Sequence, residues 1–251
     1  MQLKVKMLSV IMLVIAMALL SFMALAQPQG PEKIVKGADE RRQDASPIVV
    51  QAQAGNVTAL RINATRITNR WQGYYGNITG TITLDDAGNN TLYSWAMISP
   101  QGEIYAVNDS KAVQWSQVIC INMSDPNTNN VNVTLEELEG SLGMATNDAD
   151  GVNETFNHTF TGNFGVGTSV TISKTSGCRA VSLNVNDAYD ELKFNETILT
   201  DNTSSNNVIY VTLLEQDQTG FQGSTLDFEM IVGDNGDVAA ATDYYFYVEL
   251  S

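Results

Sequence analysis

The clearest pattern of apolar and polar positions lies shortly before the middle of the chain. Residues 77–84 alternate strictly between threonines on one side and a second set on the other side: Ile78, Gly80, Ile82 and Leu84. A period of two predicts a β-strand with one buried face and one solvated face. Residues 85–90 are small, polar or tolerant of positive φ, and residues 91–98 are again β-rich. The stretch therefore predicts a β-hairpin.

Short apolar runs separated by turn residues continue to the C-terminus. The other candidate strands cover residues 103–107, 113–120, 131–135, 155–161, 169–173, 180–185, 193–199, 208–214, 225–232 and 244–250. In the last two, the side chains expected to face inward are Leu226, Phe228, Met230, Val232, Tyr244, Phe246, Val248 and Leu250, whereas Glu249 is expected to face outward. This spacing predicts an all-β fold, an antiparallel β-sandwich that is one large sandwich or two stacked ones.

Two parts of the chain depart from this β pattern. Residues 135–144 (LEELEGSLGM) predict a short helix, the one convincing helical turn after the N-terminal segment. Residues 57–62 and 64–71 are compatible with strands, and the sequence RINATRITNRW is compatible with a short helix as well.

The N-terminus has the form of a secretory signal peptide. Lys4 and Lys6 precede an apolar run that ends in Ala24-Leu25-Ala26, which predicts cleavage after residue 26. The alternative is an uncleaved membrane anchor, because the apolar run approaches the length of a span. Residues 27–46 are polar and contain two prolines, so they predict a flexible stalk. Residues 47–251 form the predicted sandwich body, with a weak boundary near residues 145–151.

The charge of the exported chain narrows its possible partners. The full chain carries 13 Lys and Arg against 28 Asp and Glu, and removal of residues 1–26 takes away two lysines, so the net charge becomes −17. Such a chain repels phosphate backbones and anionic lipid headgroups, so nucleic acid is not an expected partner. A membrane is expected as a partner only through an uncleaved signal segment.

The sequence offers little catalytic chemistry. Its one histidine, His158, lies in a strand-like run, where an ordinary exposed residue is the simpler interpretation than a general base. A Gly-x-Ser-x-Gly elbow, a His/Cys cluster and a phosphate-binding glycine loop do not occur in the sequence. We therefore expect no catalytic residues, no metal and no cofactor. A glycosidase needs only two carboxylates, so it stays as a distant alternative.

Two groups of residues leave an alternative interpretation open. The acidic run from Asp148 to Glu154 resembles a calcium loop that lacks its first acid, and it equally fits a plain turn. Seven aromatic residues surround the predicted hairpin: Trp71, Tyr74, Tyr75, Tyr93, Trp95, Tyr105 and Trp115. Core packing explains them most simply, whereas an exposed row of Trp71, Tyr75 and Trp95 would indicate a carbohydrate-binding module.

Cys120 and Cys178 are the only cysteines, and in an exported protein they are expected to form a disulfide. Eleven Asn-x-Ser/Thr sequons predict a glycosylated surface, and those in turns, such as Asn89, Asn108 and Asn202, are the most accessible. The eleven are Asn56, Asn63, Asn77, Asn89, Asn108, Asn122, Asn132, Asn153, Asn157, Asn195 and Asn202.

Three segments also resemble a known group of sequences. WQGYYGNITGTITLDDAGNNTLYSW, PQGEIYAVN and the C-terminal LLEQDQTGFQGSTLDFEMIV with YYFYVEL resemble a family of uncharacterised exported archaeal surface proteins. The resemblance covers most of the chain after about residue 50. It contains no catalytic motif, so it implies an archaeal cell-surface setting and no mechanism.

Together these features predict a non-enzymatic secreted or cell-surface glycoprotein with a structural or adhesive role. Its expected partners are cell-envelope components or another cell surface. The alternatives are an extracellular carbohydrate-binding module and, more distantly, a glycan-active hydrolase. A filament subunit joined by strand donation is a related hypothesis, with residues 27–46 as the donor, although these residues are poor in β-branched side chains.

Overall fold

A computed structural model describes residues 27–43, 45–108, 113–121, 134–145, 147–183, 189–190, 193–201, 207–237 and 241–250. The predicted signal segment lies outside these residues. The described chain is rich in β-strands, and all of its paired strands run antiparallel, so the predicted all-β class is confirmed.

Fifteen strands and two short helices make up the described chain. The strands are β1 (Trp71–Gly76), β2 (Gly80–Asp85), β3 (Thr91–Met97), β4 (Gly102–Val107), β5 (Ile119–Cys120), β6 (His158–Thr159), β7 (Asn163–Val166), β8 (Val170–Ser173), β9 (Arg179–Ser182), β10 (Asn195–Thr200), β11 (Val208–Leu213), β12 (Gln218–Thr219), β13 (Thr225–Leu226), β14 (Phe228–Gly233) and β15 (Tyr245–Leu250). The helices are α1 (Leu135–Ser141) and α2 (Val152–Thr155), and 3₁₀ turns occupy Trp115–Gln117 and Phe221–Gly223.

A seven-stranded sheet forms the centre of the molecule. Its strands follow the order β15-β4-β11-β10-β9-β6, and β5 pairs with β10 beside β9. Strand β10 is buried at every residue, and β4 and β11 are buried along most of their length. Both faces of this sheet are therefore covered, and the molecule has a layer on each side of it.

Each face of the central sheet packs against its own hydrophobic cluster. On one face Ile104, Ile198 and Tyr210 pack with the helices and with β14. On the other face Tyr105, Leu199 and Val211 pack with the β7–β8 hairpin and with Trp115. These residues alternate along β4, β10 and β11, as the pleat of a strand requires.

Side-chain hydrogen bonds join the central sheet to β14. The Glu196 carboxylate accepts a 2.8 Å hydrogen bond from the Ile231 amide, and the Thr212 hydroxyl donates a 2.7 Å hydrogen bond to the Glu229 carbonyl. Glu196 is completely buried, and this burial raises its pKa well above the usual value. Burial in the core therefore disfavours the charged form of this carboxyl group.

Helix α1 confirms the short helix predicted at residues 135–144. Its N-terminus is closed by a capping box, in which the Thr134 hydroxyl accepts from the Glu137 amide at 3.1 Å and the Glu137 carboxylate accepts from the Thr134 amide at 2.8 Å. The helix packs with α2 into a single cluster. Residues on both sides of the weak boundary at 145–151 therefore share one core.

The predicted hairpin is present as β2 and β3, but its predicted burial is wrong. Ile82 and Leu84 are exposed by 54% and 50%, because no layer of the described structure covers the side of β2 to which they point. Within β2 only Gly80 is partly buried, as is Ile78 just before the strand. The alternating pattern predicted the strand correctly but did not determine what covers it.

Several other predicted elements match the structure, and some do not. Strands β8, β11 and β15 fall inside predicted runs, and β4, β9 and β10 each extend one residue beyond theirs. The predicted strand at 113–120 is instead a 3₁₀ turn followed by the two-residue β5, and the run at 155–161 contains the end of α2 and the two-residue β6. The strand predicted at 131–135 lies mostly outside the described residues, and Leu135 opens α1. Residues 57–62 and 64–71, predicted as strands or a short helix, form neither up to residue 70, and Trp71 begins β1.

Contacts at Gln29 and Arg41 tie the predicted stalk, residues 27–46, to later parts of the chain. Gln29 forms an isolated antiparallel bridge with Val248 on the outer edge of β15, with hydrogen bonds of 3.0 and 2.7 Å. Farther along, the Arg41 guanidinium donates a 2.6 Å hydrogen bond to the Asn69 side chain. Part of the segment predicted as a stalk therefore lies on the body.

Candidate functional site

The β2–β3 hairpin presents an uncovered apolar surface. Ile82 lies opposite Trp95 and Leu84 lies opposite Tyr93, so the four side chains share one face, which we call the hairpin face. Tyr93 and Trp95 are exposed by 58% and 49%, and their rings contact at a centroid distance of 4.7 Å. Cross-strand aromatic and aliphatic pairs stabilise a hairpin, but a two-stranded sheet is marginally stable without a further partner.

The hairpin is fixed at both ends. At its tip, the Asp86 carboxylate accepts hydrogen bonds from the amides of Gly88 and Asn90 at 2.8 and 2.9 Å. Hydrogen bonds from Asn90 and Gly88 lower the pKa of Asp86. At its base, a Cβ on Gly80 would lie 2.8 Å from the tips of the Leu250 and Met97 side chains, so a larger residue would require these flexible side chains to move. The hairpin face is therefore held by a defined turn and a packed base.

A second exposed apolar feature precedes β1. Every residue from 45 to 66 is exposed, and none of them belongs to a helix or strand. We call residues 45–66 the arm. Its large apolar side chains are Ile48, Val49, Val50, Val57, Leu60 and Ile62, which are exposed by between 58% and 102%. Loops of this length without secondary structure are uncommon in compact domains and are often functional.

The body begins immediately after the arm. The Arg70 guanidinium donates hydrogen bonds to the carbonyls of Leu142 and Gly143 at the end of α1, at 3.1 and 2.7 Å, and to the Asn235 carbonyl at 2.6 Å. A cation is favourable at the C-terminus of a helix, where carbonyl groups lack partners. Because Arg41 contacts Asn69, both ends of the arm are anchored close to one point of the body.

The aromatic residues divide between the core and the surface. Tyr105 and Trp115 are buried, and Trp71 packs on Phe156 while its indole donates a 2.7 Å hydrogen bond to the Asp150 carbonyl. Core packing is confirmed for these residues and for the partly buried Tyr74. Tyr75, Tyr93 and Trp95 are exposed instead. The row of Trp71, Tyr75 and Trp95 that would indicate a sugar-binding face is therefore incomplete.

Two carboxylates of the acidic run at 148–154 accept hydrogen bonds from other groups of the protein. The Asp148 carboxylate accepts from the Ala145 amide at 2.7 Å, and the Asp150 carboxylate accepts from the Thr68 hydroxyl at 2.6 Å. The buried carboxylate of Glu139 accepts from the Asn153 amide at 2.9 Å and so closes the N-terminus of α2. In the described part of the chain, no group of three or more His, Cys, Asp or Glu side chains could hold a metal ion.

A pair of carboxylates lies at one end of the central sheet. Glu103 on β4 is the direct cross-strand neighbour of Glu249 on β15. Burial and the charge of Glu249 raise the pKa of Glu103 to about 8. Glu249, predicted to face outward, is partly buried and accepts hydrogen bonds from the Tyr105 hydroxyl and the Gly167 amide at 3.2 and 3.0 Å. Glu103 is therefore largely protonated at neutral pH, which relieves the repulsion in the pair.

The single histidine stacks on an aromatic ring, and the two cysteines are bonded to each other. His158 is half-buried in β6 and stacks on Tyr189 at a ring-centroid distance of 4.6 Å. The predicted disulfide between Cys120 and Cys178 is confirmed, with a Cα–Cα distance of 4.8 Å. Cys120 pairs with Leu199, and β9 pairs with the preceding residues of β10. The bond therefore joins the two short strands that follow one another along the same edge of β10.

The sequons differ in accessibility. Asn56, Asn63, Asn77, Asn89 and Asn108 are exposed, whereas Asn153 and Asn157 are half-buried. Asn195 is buried in β10, and its side-chain amide donates a 2.6 Å hydrogen bond to the Lys193 carbonyl. The side-chain amide of Asn153 likewise donates to Glu139 at 3.3 Å. Asn122, Asn132 and Asn202 lie outside the described residues.

Sequence reasoning located the hairpin but missed the exposure of its apolar face and the extent of the arm. The β-branched residues of the arm are its signal in the sequence, but the same pattern places them in the predicted sandwich body.

No described helix has both the length and the apolar character needed to cross a membrane. No protein-family model, curated protein or solved structure matches the chain.

Proposed function

We propose that this chain is a non-enzymatic glycoprotein that is secreted or held at the cell surface, where it has a structural or adhesive role. The observation that carries the proposal is the hairpin face, four large apolar side chains exposed by about half on a hairpin of defined shape. Apolar surface of this kind usually marks a site of interaction with another molecule. Its expected partners are components of the cell envelope or of another cell surface.

The distribution of sequons supports the glycoprotein part of the proposal. Five of the eight described sequons have an exposed asparagine, and Asn89 lies in the turn of the hairpin itself. A glycan on Asn195 or Asn153 would break a hydrogen bond of the folded state. Glycans are therefore expected on the exposed group and not on these two residues, and the archaeal setting rests on the sequence resemblance alone.

The disulfide supports an exported protein, because cytosolic thiols are kept reduced. Protease treatment of intact cells tests this placement. The chain is expected to be cleaved in intact cells, and N-terminal sequencing of the native protein is expected to begin at Gln27. Protection until the cells are lysed would contradict the proposal.

An adhesion assay tests the role of the hairpin face. Cells that carry Tyr93→Ser with Trp95→Ser are expected to attach to surfaces and to each other less than cells with the unchanged chain. Tyr245→Ser is the matched control, because Tyr245 is an aromatic residue that is 41% exposed outside the hairpin. Equal attachment by all three strains, with equal amounts of protein on the cells, would remove the adhesive role.

Carbohydrate binding is the second candidate, and the exposed Tyr93–Trp95 pair favours it. The two rings meet edge to face with their planes 64° apart, so each offers its own exposed face, and not one flat platform, to a sugar ring. A glycan array probed with the unchanged chain and with Trp95→Ala decides between the two functions. Binding that disappears in the variant would make the chain a carbohydrate-binding module.

A hydrolase screen tests the distant third function. The cross-strand pair of Glu103 and Glu249 provides two neighbouring carboxyl groups, which is the minimum that a glycosidase requires. No turnover of glycans is expected. Activity that is abolished by Glu249→Gln would overturn the non-enzymatic interpretation.

A further inference from the structure

The arm and the hairpin are two exposed, β-prone parts of the molecule, and both have backbone groups that are not paired with another strand in the described structure. The arm offers backbone amide and carbonyl groups, and in the described structure no strand pairs with it. The hairpin is a two-stranded sheet of its own, so the outer edges of β2 and β3 carry unpaired backbone groups among the described residues. Open edges of this kind are templates for the addition of another strand.

The side-chain pattern of the arm matches the hairpin face. Along residues 57–66, Leu60, Ile62 and Ala64 alternate with polar residues, and Leu60 and Ile62 are exposed by 58% and 83%. As a strand beside the hairpin, this side of the arm would continue the apolar surface of Ile82 and Trp95. Asn63 would then point to the opposite side, where a glycan does not obstruct the contact.

The charges of the arm and the body are complementary. The arm carries Arg61 and Arg66 and no acidic residue, whereas residues 71–251 contain 24 of the 28 acidic residues and only four basic ones. The hairpin itself contains Asp85 and Asp86 and no Lys or Arg. Opposite charges on two surfaces steer their association and disfavour contacts between two acidic bodies in other orientations.

From these observations we propose that residues 57–66 of one copy add as a β-strand to an open edge of the β2–β3 hairpin of a second copy. Each copy supplies one arm and one hairpin, so the contact is head-to-tail and can extend into a chain of copies. The donor is therefore the arm, and not the polar residues 27–46. This inference rests on the proposed structural role and names the partner of the hairpin face.

Cysteine cross-linking between two variants tests the contact. Both native cysteines are joined in the disulfide, so an introduced cysteine is the only free thiol. Chain from Gln27 onward is prepared as Ile62→Cys and, with an isotope label, as Ile82→Cys, and the two are mixed under mild oxidation. Cross-linked dimers that contain one labelled and one unlabelled copy are expected. Ile34→Cys replaces Ile62→Cys in the control, because Ile34 is an isoleucine that is 61% exposed before the arm.

Mixed dimers no more abundant than in the Ile34→Cys control would overturn the inference. So would a cross-link that forms within single copies of the Ile62→Cys, Ile82→Cys double variant, since the arm would then cover its own hairpin. The opposite result, mixed dimers with little internal cross-linking, supports a contact between copies.

Sedimentation of the unchanged chain gives an independent measurement. Its average mass is expected to rise with concentration and to fall as NaCl increases from about 0.05 to about 0.5 M, because salt screens the attraction. Leu60→Gln with Ile62→Gln is expected to weaken association by about tenfold or more. Ile34→Gln is expected to leave it unchanged. A monomer at every concentration would overturn the inference.

The outcome is separable from that of the proposed function. A chain that is exposed on intact cells but stays monomeric would refute the contact between copies and leave the surface role intact. A chain that associates in solution but is protected inside cells would refute the surface role alone.

Discussion

Strands β2 and β10 are both six residues long, yet they occupy opposite environments. All six residues of β10 are buried, whereas no residue of β2 is buried. Strand β10 has neighbours on both edges and a hydrophobic cluster on each face. Among the described residues, strand β2 pairs only with β3, and its apolar side chains are exposed.

The sequences of these two strands suggest the reverse. GTITLD in β2 alternates as a half-buried strand should, while NETILT in β10 includes a glutamate, an asparagine and two threonines. The difference teaches that alternation reports the conformation of the backbone, whereas burial depends on how many layers surround the strand. In β10, one oxygen of the buried Glu196 carboxyl group accepts a hydrogen bond from the Ile231 amide, whereas the other has no hydrogen-bond partner among the described residues.

The largest expected effect comes from the disulfide beside β10. Replacing Cys120 and Cys178 by alanine is expected to lower the free energy of unfolding by about 4 kcal/mol, because the bond closes a long loop and restricts the unfolded chain. Urea denaturation of the variant and of the unchanged chain measures this difference. A loss below about 1 kcal/mol would show that the edge of β10 does not depend on the bond.

The core of the central sheet supplies the next effect. Ile198→Ala in β10 is expected to cost about 3 kcal/mol, since Ile198 is completely buried and its removal leaves a cavity. Urea denaturation again gives the value, with an unchanged slope as evidence that two-state unfolding persists. A cost similar to that of truncating an exposed side chain would contradict the conclusion that the side chains of β10 are enclosed while those of β2 are not.

Glu103 makes the stability of the sheet depend on pH. Its pKa is about 8 in the folded state and near 4.5 in the unfolded chain, so the folded state binds the extra proton between these values. The free energy of unfolding is therefore expected to fall as the pH rises from 4.5 to 8. Glu103→Gln removes this pH-dependent contribution to the free energy of unfolding, which is on the order of 1 kcal/mol for a partly solvated group.

The measurement compares unfolding at pH 5 and pH 8 for both chains. Burial also raises the pKa of Glu196, Glu215 and Glu229, and these groups contribute with the same sign in both chains. The difference between the two chains isolates Glu103. An identical pH dependence in the variant would show that the carboxylate pair with Glu249 is not the cause.

The smallest effect is expected in the hairpin. Ile82→Ala should change the stability of a single copy by no more than about 0.5 kcal/mol, because the side chain is already half exposed. Thermal unfolding at low concentration, where copies do not associate, measures this. A loss of unfolding free energy close to that of Ile198→Ala would mean that another part of the same chain covers the hairpin face.

The sequence by itself determined the β class, the hairpin with its turn, the helix at α1 and the pairing of the two cysteines. These features depend on local rules: a period of two, the turn residues after Leu84, the capping box at Thr134, and the fact that Cys120 has one possible partner. The capping contacts and the cross-strand register are short-range in the chain, so a single sequence is sufficient to predict them.

Only the tertiary structure decided which strands are enclosed and which are open. The central sheet joins β4, the neighbouring strands β10 and β11, and the C-terminal β15, so the enclosure of β4 depends on partners far away in the sequence. The carboxylate pair of Glu103 and Glu249 arises in the same way, whereas the closure of α2 by Glu139 spans only 14 residues. The exposed arm shows the limit most clearly: its β-branched residues favour a strand, but a strand forms only where a partner supplies the hydrogen bonds.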